Sequence, residues 1–157
     1  MIENTSDFER GHEFTVFDIA PGVRIAPLIC FDAFDDDPAL GMSANGATLG
    51  VVMANLAWFG RSTAARQMEH FVRMRAIENR IPILMLSQNG ESVLIDARGE
   101  EASQRLGLFQ VGALSLEVHA GPGGSFFTRH AQWIHGAYAL ALAGTLLAFA
   151  LHVRRTS

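Results

Sequence analysis

Residues 134–151 restrict the possible folds more than any other stretch: eighteen positions carry no Asp, Glu, Lys or Arg and a single histidine, His135, near the start. At 1.5 Å rise per residue a helix of this length reaches roughly 27 Å, close to the hydrocarbon thickness of a bilayer. The stretch stops at His152-Val153-Arg154-Arg155, while Phe126, Phe127, Trp133 and Tyr138 gather at its other end around Arg129 and His130. Aromatic residues at one interface and paired arginines at the other are the pattern of a membrane-spanning helix, and the positive-inside rule then puts the C-terminus in the cytoplasm. A buried core helix is the competing reading, because the stretch is alanine-rich and at the lower length limit. Ala137 with Ala141, and Ala139 with Ala143, repeat at small-xxx-small spacing, which suits packing against other membrane helices. The expected division is a globular part over 1–120, a Gly- and aromatic-rich connector over 121–133 opened by Gly121-Pro122-Gly123-Gly124, the spanning helix over 134–153 and a basic tail over 154–157.

The rest of the chain reads as α/β. Residues 23–31 (VRIAPLICF) follow the turn pair Pro21-Gly22 and form an apolar, partly β-branched run, so a buried strand is expected with Cys30 at its C-terminal end. Asp35-Asp36-Asp37 and Pro38 suit either a helix N-terminus or a solvated acidic loop. Residues 46–55 read as a second buried strand ending at Asn55. Over 62–80, Ala64, Ala65, Met68, Phe71, Val72 and Ala76 share one face at helical spacing, with Ser62 as the candidate N-cap. Pro82 closes that helix, and residues 83–86 give a third strand leading to the turn Asn89-Gly90. Residues 92–96 with Arg98-Gly99 complete a hairpin, and residues 108–118 alternate well enough for a last strand. Strands alternating with helices indicate α/β.

Charge and side-chain usage exclude several function classes. The formal charge is −4 and no basic cluster exceeds Arg154-Arg155, so nucleic acid is not an expected partner. Six scattered histidines and one cysteine offer no ligand spacing for a metal, and no cofactor is indicated. The polar segment 1–10 lacks the apolar core of a conventional signal peptide. All twelve basic residues are arginines, so the chain has no lysine.

Cys30 is the candidate nucleophile, because a thiolate at a strand end can attack a carbonyl; packing alone is the plainer account of a lone cysteine. Arg75 falls inside the apolar stripe of its helix and needs a partner there, either Glu78 at i+3 or a carboxylate near Cys30.

Four segments taken together resemble the nitrilase superfamily. They are residues 24–34 (RIAPLICFDAF), 55–60 (NLAWFG), 67–78 (QMEHFVRMRAIE), and Gln88-Asn89-Gly90 with Asp96 and Gly99. Within it, the chain is most similar to the apolipoprotein N-acyltransferases, collinearly from about Phe8 onward and including a final helix after an aromatic and arginine segment. The resemblance implies part of an αββα sandwich followed by one C-terminal transmembrane helix. It also implies a ping-pong transfer in which Cys30 takes an acyl chain from a phospholipid and passes it to the N-terminal cysteine of a lipoprotein. The implied setting is the bacterial inner membrane, with the domain on the periplasmic side.

Such enzymes pair the Cys with a Glu base and a Lys that holds the oxyanion; neither maps to this chain, so a companion chain carrying the N-terminal half would have to supply them. Asp32, Asn55, Arg75 and Glu78 are the expected supporting residues, and Phe31, Trp58, Phe59 and Asn89 the expected substrate pocket. The chain departs from the family pattern at Cys30-Phe31-Asp32, where Cys-Tyr-Glu is usual, and at Leu56, where an acid is usual. A catalytically inactive remnant or binding module, and a soluble hydrolase acting on small amides, are the alternative functions.

Overall fold

The computed structural model describes residues 11–156; the polar segment 1–10 and Ser157 lie outside the described residues, as do the side chains of Arg155 and Thr156. One six-stranded sheet runs in sequence order from β1 (Phe17–Ala20) through β2 (Val23–Ile29), β3 (Leu49–Asn55), β4 (Ile83–Gln88) and β5 (Ser92–Ile95) to β6 (Glu101–Leu106). β2, β3 and β4 are parallel, whereas the outer pairs are antiparallel. Parallel neighbours need crossovers, supplied by α1 (Asp36–Ala44) and α2 (Ala64–Asn79).

Side-chain alternation explains which face the helices cover. Ala26 and Leu28, Val52 and Ala54, Ile83 and Met85, and Val93 and Ile95 point to one side, where they form a single core with Ala39 and Met42 of α1 and Met68, Val72 and Ala76 of α2. Each large side chain fully buried there contributes about 2 kcal/mol through lost apolar exposure. Arg80 closes α2 in the left-handed conformation, φ 55°, and Pro82 prevents continuation. Thr63 precedes the first turn of α2 in place of the expected Ser62, whose hydroxyl accepts from Ala64 N at 3.3 Å. The acids do open a helix: Asp35 caps α1, its Oδ1 accepting from Asp37 N at 3.2 Å.

Two strands differ from the sequence expectation. β1 was not anticipated, because every one of its four residues is exposed and no burial pattern marks it. The last strand is β6, not residues 108–118. After β6, a turn in which Gln110 N donates to Gly107 O at 3.1 Å, with Phe109 at φ 59°, swings the chain off the sheet edge. Leu114, Leu116 and Val118 then cross the second sheet face over Leu84, Leu86 and Leu106, leaving a cleft of about 350 Å³. β6 itself is a polar edge: Arg105 pairs with Glu69 and Glu101 at 2.7 Å and also with Glu91, and charges discourage further strand addition.

The segment after that crossing is threaded tightly. Gly121 N donates to Thr48 O at 2.9 Å, and a Cβ on Gly121 would lie 2.5 Å from Arg80 O, so only glycine fits. α3 (Phe126–Thr156) follows, eight residues longer at its start than the apolar run alone suggests. Its span Phe126–Arg154 is long and apolar enough to cross a membrane, and none of its most apolar window is buried in the protein. It is not a core helix of the described residues.

Candidate active site

β2 delivers Cys30 to the C-terminal edge of the sheet, where parallel α/β folds place reacting groups. The residue begins a 3-10 turn, Cys30–Ala33, and sits at φ 50°. A non-glycine residue in the left-handed region costs roughly 1–2 kcal/mol, so the surroundings must hold it there. Asp32 does so from below, its Oδ2 accepting from Ile29 N at 2.8 Å, and Phe34 N closes the turn onto Phe31 O at 2.9 Å. Fully buried Ala33 plugs the turn into the core. Cys30 is half-buried and packs against the margin of the core. The Asp32 carboxylate is committed to the backbone, which makes it a support of the turn.

The expected pocket divides in two. Phe31 and Phe59 line an apolar slot of about 180 Å³ beside the Cys30 turn, together with Phe34, Leu56 and Met68. Phe31, Phe34 and Phe71 stack in series, with ring centroids 5.3 and 4.6 Å apart. Trp58 does not line that slot; it is 74% exposed at the tip of the loop. Asn55 shapes the same loop, its Oδ1 accepting from Ala57 N at 3.1 Å. Asn89 lies in a separate, more open cleft of about 450 Å³ with Met53, Gln88 and Gln110, held at φ 59° with its carbonyl accepting from Phe109 N at 3.3 Å. Arg61 lies 5.0 Å over the Phe109 ring and thereby ties the Trp58 loop to that second cleft.

Arg75 and Glu78 pair with each other, as their spacing suggests, with Arg75 Nη2 at 2.9 Å from Glu78 Oε2 and 3.1 Å from Oε1. The pair lies at the far end of α2, against α3: the Ser125 hydroxyl and the Thr128 hydroxyl, the latter at 3.1 Å, donate to the Glu78 carbonyl. No contact recorded among the described residues brings the pair to Cys30. Burial raises the Glu78 carboxyl above its ordinary value and Asp36 adds to the rise, against the opposing pull of Arg75 and His135. Asp36 in turn lies 3.0 Å from His135 Nε2, so it is already engaged within the Asp35-Asp36-Asp37 cluster.

A strained cysteine at the end of a parallel strand, backed by a sheet with helices on one face, now has comparable proteins. The profile of the carbon-nitrogen hydrolase family matches residues 4–119. The chain belongs to the carbon-nitrogen hydrolase family. Its curated relatives include the apolipoprotein N-acyltransferase of Geobacter metallireducens, 33% identical over 100% of this chain and 29% of the relative. That of Pseudomonas paraeruginosa is 33% identical over 96% of this chain and 28% of the relative.

Among solved structures, the fold matches Saccharomyces cerevisiae Nit3, a member of the nitrilase superfamily, at a TM-score of 0.54 and 20% identity over 66% of this chain and 40% of that one. It also matches an amidase from Nesterenkonia sp. AN1 that carries acrylamide added at its active-site cysteine, at a TM-score of 0.50 and 24% identity over 60% of this chain and 38% of that one. This carbon-nitrogen hydrolase chain thus spans less than a third of the length of the curated relatives cited.

Sequence reasoning missed Phe34, Leu56 and Met68 in the slot, since apolar residues lining a pocket look the same as core. It also missed the docking set Asp36, Ser125, Thr128 and His135. Ser125 could have been found: its hydroxyl accepts from Thr128 N at 2.9 Å, the S-x-x-T arrangement of an N-terminal cap.

Proposed function

We propose that the chain carries the nucleophile of a membrane-tethered N-acyltransferase that moves a fatty acyl group from a phospholipid to the N-terminal amine of a lipoprotein. The observation that carries this reading is a half-buried cysteine held in a left-handed turn, in the same chain as an exposed apolar helix of spanning length. In the first step the Cys30 thiolate attacks the ester carbonyl: a carbon–sulfur bond forms, the ester carbon–oxygen bond breaks, and the lysophospholipid leaves as an alcohol with the proton taken from the thiol. In the second, the acceptor amine attacks the thioester, the amide forms, and the released sulfur recovers a proton from the amine.

Base and oxyanion cation come from polypeptide outside residues 1–157, packed on the second sheet face. That face supports the reading, because Ile29, Met53 and Leu86 are exposed there in register, at 57%, 42% and 42%. A closed sandwich would bury them, as facing sheets do. The apolar slot beside Phe31 receives part of the acyl chain. The domain stands on the periplasmic side of the bacterial inner membrane with the C-terminus in the cytoplasm, an orientation supported by Arg154 and Arg155 at the end of α3. The amide-hydrolase alternative leaves the exposed span of α3 without a role.

The test is reconstitution. The chain is combined in vesicles with the N-terminal region of a relative supplying Glu and Lys, a phospholipid with a labelled acyl chain and a lipoprotein peptide. Label should move to the peptide amine with wild type and not with Cys30→Ala. Transfer that survives Cys30→Ala overturns the proposal.

A further inference from the structure

α3 does not leave the protein at its first residue. Ser125 and Thr128 fix its start to the Glu78 carbonyl, Ala131 is buried, and His135 reaches Asp36; from residue 136 to 154 every position is exposed. His135 is thus the side chain by which α3 meets α1, and the exposed residues from there to Arg154 extend roughly 28 Å, about one bilayer core.

Its partner is placed to matter. Asp36 opens α1, separated from the strained Cys30–Ala33 turn by Phe34 and the capping Asp35. The strain at Cys30 persists only while both ends of the turn are held. On one side are β2 and the Asp32 cap; on the other is the start of α1, capped by Asp35 and carrying Asp36 and Asp37 in its first turn, with Asp36 near enough to Glu78 of α2 to raise its carboxyl. These carboxylates repel one another. The basic side chains beside them are Arg75, which is spent on Glu78, and His135; Arg129 and Asp37 line the neighbouring groove between α1 and α3, and the Phe127 ring meets His135 edge-on at 5.9 Å. His135 Nε2, 3.0 Å from Asp36 Oδ2, ties α3 to the first turn of α1 and so clamps that end of the turn.

We infer that His135 of the membrane helix is a positioning residue for the Cys30 turn, acting through Asp36, so that the docking of the anchor and the presentation of the thiol are coupled. This inference rests on Cys30 being the reactive thiol.

Cys30 is the chain's single cysteine, so iodoacetamide reports on it cleanly. In the full chain in detergent micelles, the alkylation rate is measured at one fixed pH beside the sheet's thermal midpoint. His135→Ala and Asp36→Asn should slow or speed alkylation by about threefold or more while leaving that midpoint within error, as expected on losing a close polar contact that holds the turn. His135→Gln keeps a side-chain donor and should restore much of the wild-type rate. His130→Ala, one turn back and exposed, should match wild type. An unchanged rate in His135→Ala, or a change in His130→Ala of the same size, overturns the inference. A wild-type Cys30 that resists alkylation would instead remove the nucleophile reading itself, so the two failures are distinguishable.

Discussion

At the scale of single residues, Cys30 owes its placement to the backbone of its own turn. With φ at 50°, a side chain there is strained and glycine is not, so Cys30→Gly should be more stable than Cys30→Ala by about 1 kcal/mol in chemical denaturation. Equal stabilities would mean that the turn relaxes in solution. Asp32→Ala removes the acceptor for Ile29 N and should cost about 1–2 kcal/mol, with Asp32→Asn milder because an acceptor oxygen remains. The position of Cys30 at a strand end was legible in VRIAPLICF, because an apolar run after a Pro-Gly turn has few other readings. Its left-handed conformation was not, since cysteine carries no preference for that region and the hold on it is the Ile29–Asp32 contact that brackets it.

At the scale of elements, α2 was legible almost to the residue because its apolar positions repeat at helical spacing, and the Arg75–Glu78 pair was legible from the same wheel. Its ties to α3 were not, because they are made by a carbonyl of α2 with Ser125 and Thr128, nearly fifty positions later. Glu78→Ala should cost about 3 kcal/mol, for it strands the buried Arg75 guanidinium. Glu78→Gln isolates the titration. The folded-state carboxyl is raised above the ordinary glutamate value, so its contribution to stability is fully present below that ordinary value and is lost as pH rises through the higher folded one. Denaturation midpoints of wild type relative to Glu78→Gln should therefore fall across that interval; a flat difference would contradict the burial assigned to this carboxyl. Residues 108–118 show the opposite failure of legibility, since alternation predicts a strand wherever one face is apolar. Here the apolar face lies on the sheet surface and the backbone makes no ladder.

At the scale of the whole molecule, one sheet face is closed by α1 and α2 and the other is only partly crossed by residues 112–118. The α/β class and the long apolar helix were legible because one-sided burial imposes a period on the sequence and an unbroken apolar run imposes a length. The open face was not fully legible, because Ile29, Met53 and Leu86 read as ordinary strand residues. Leu86→Asp should leave the stability of the isolated chain within about 1 kcal/mol, as exposed substitutions do, yet abolish association with a complementary half in a pull-down. Loss of folding with Leu86→Asp would show that face to be already part of this chain's core. The central claim concerns the sulfur of Cys30, and intact-mass spectrometry reads it directly. With phospholipid vesicles and the complementary half but no acceptor, the chain should gain one fatty acyl group that hydroxylamine removes and Cys30→Ala never acquires. A chain that stays unmodified in that mixture, or an adduct that resists hydroxylamine, would contradict it.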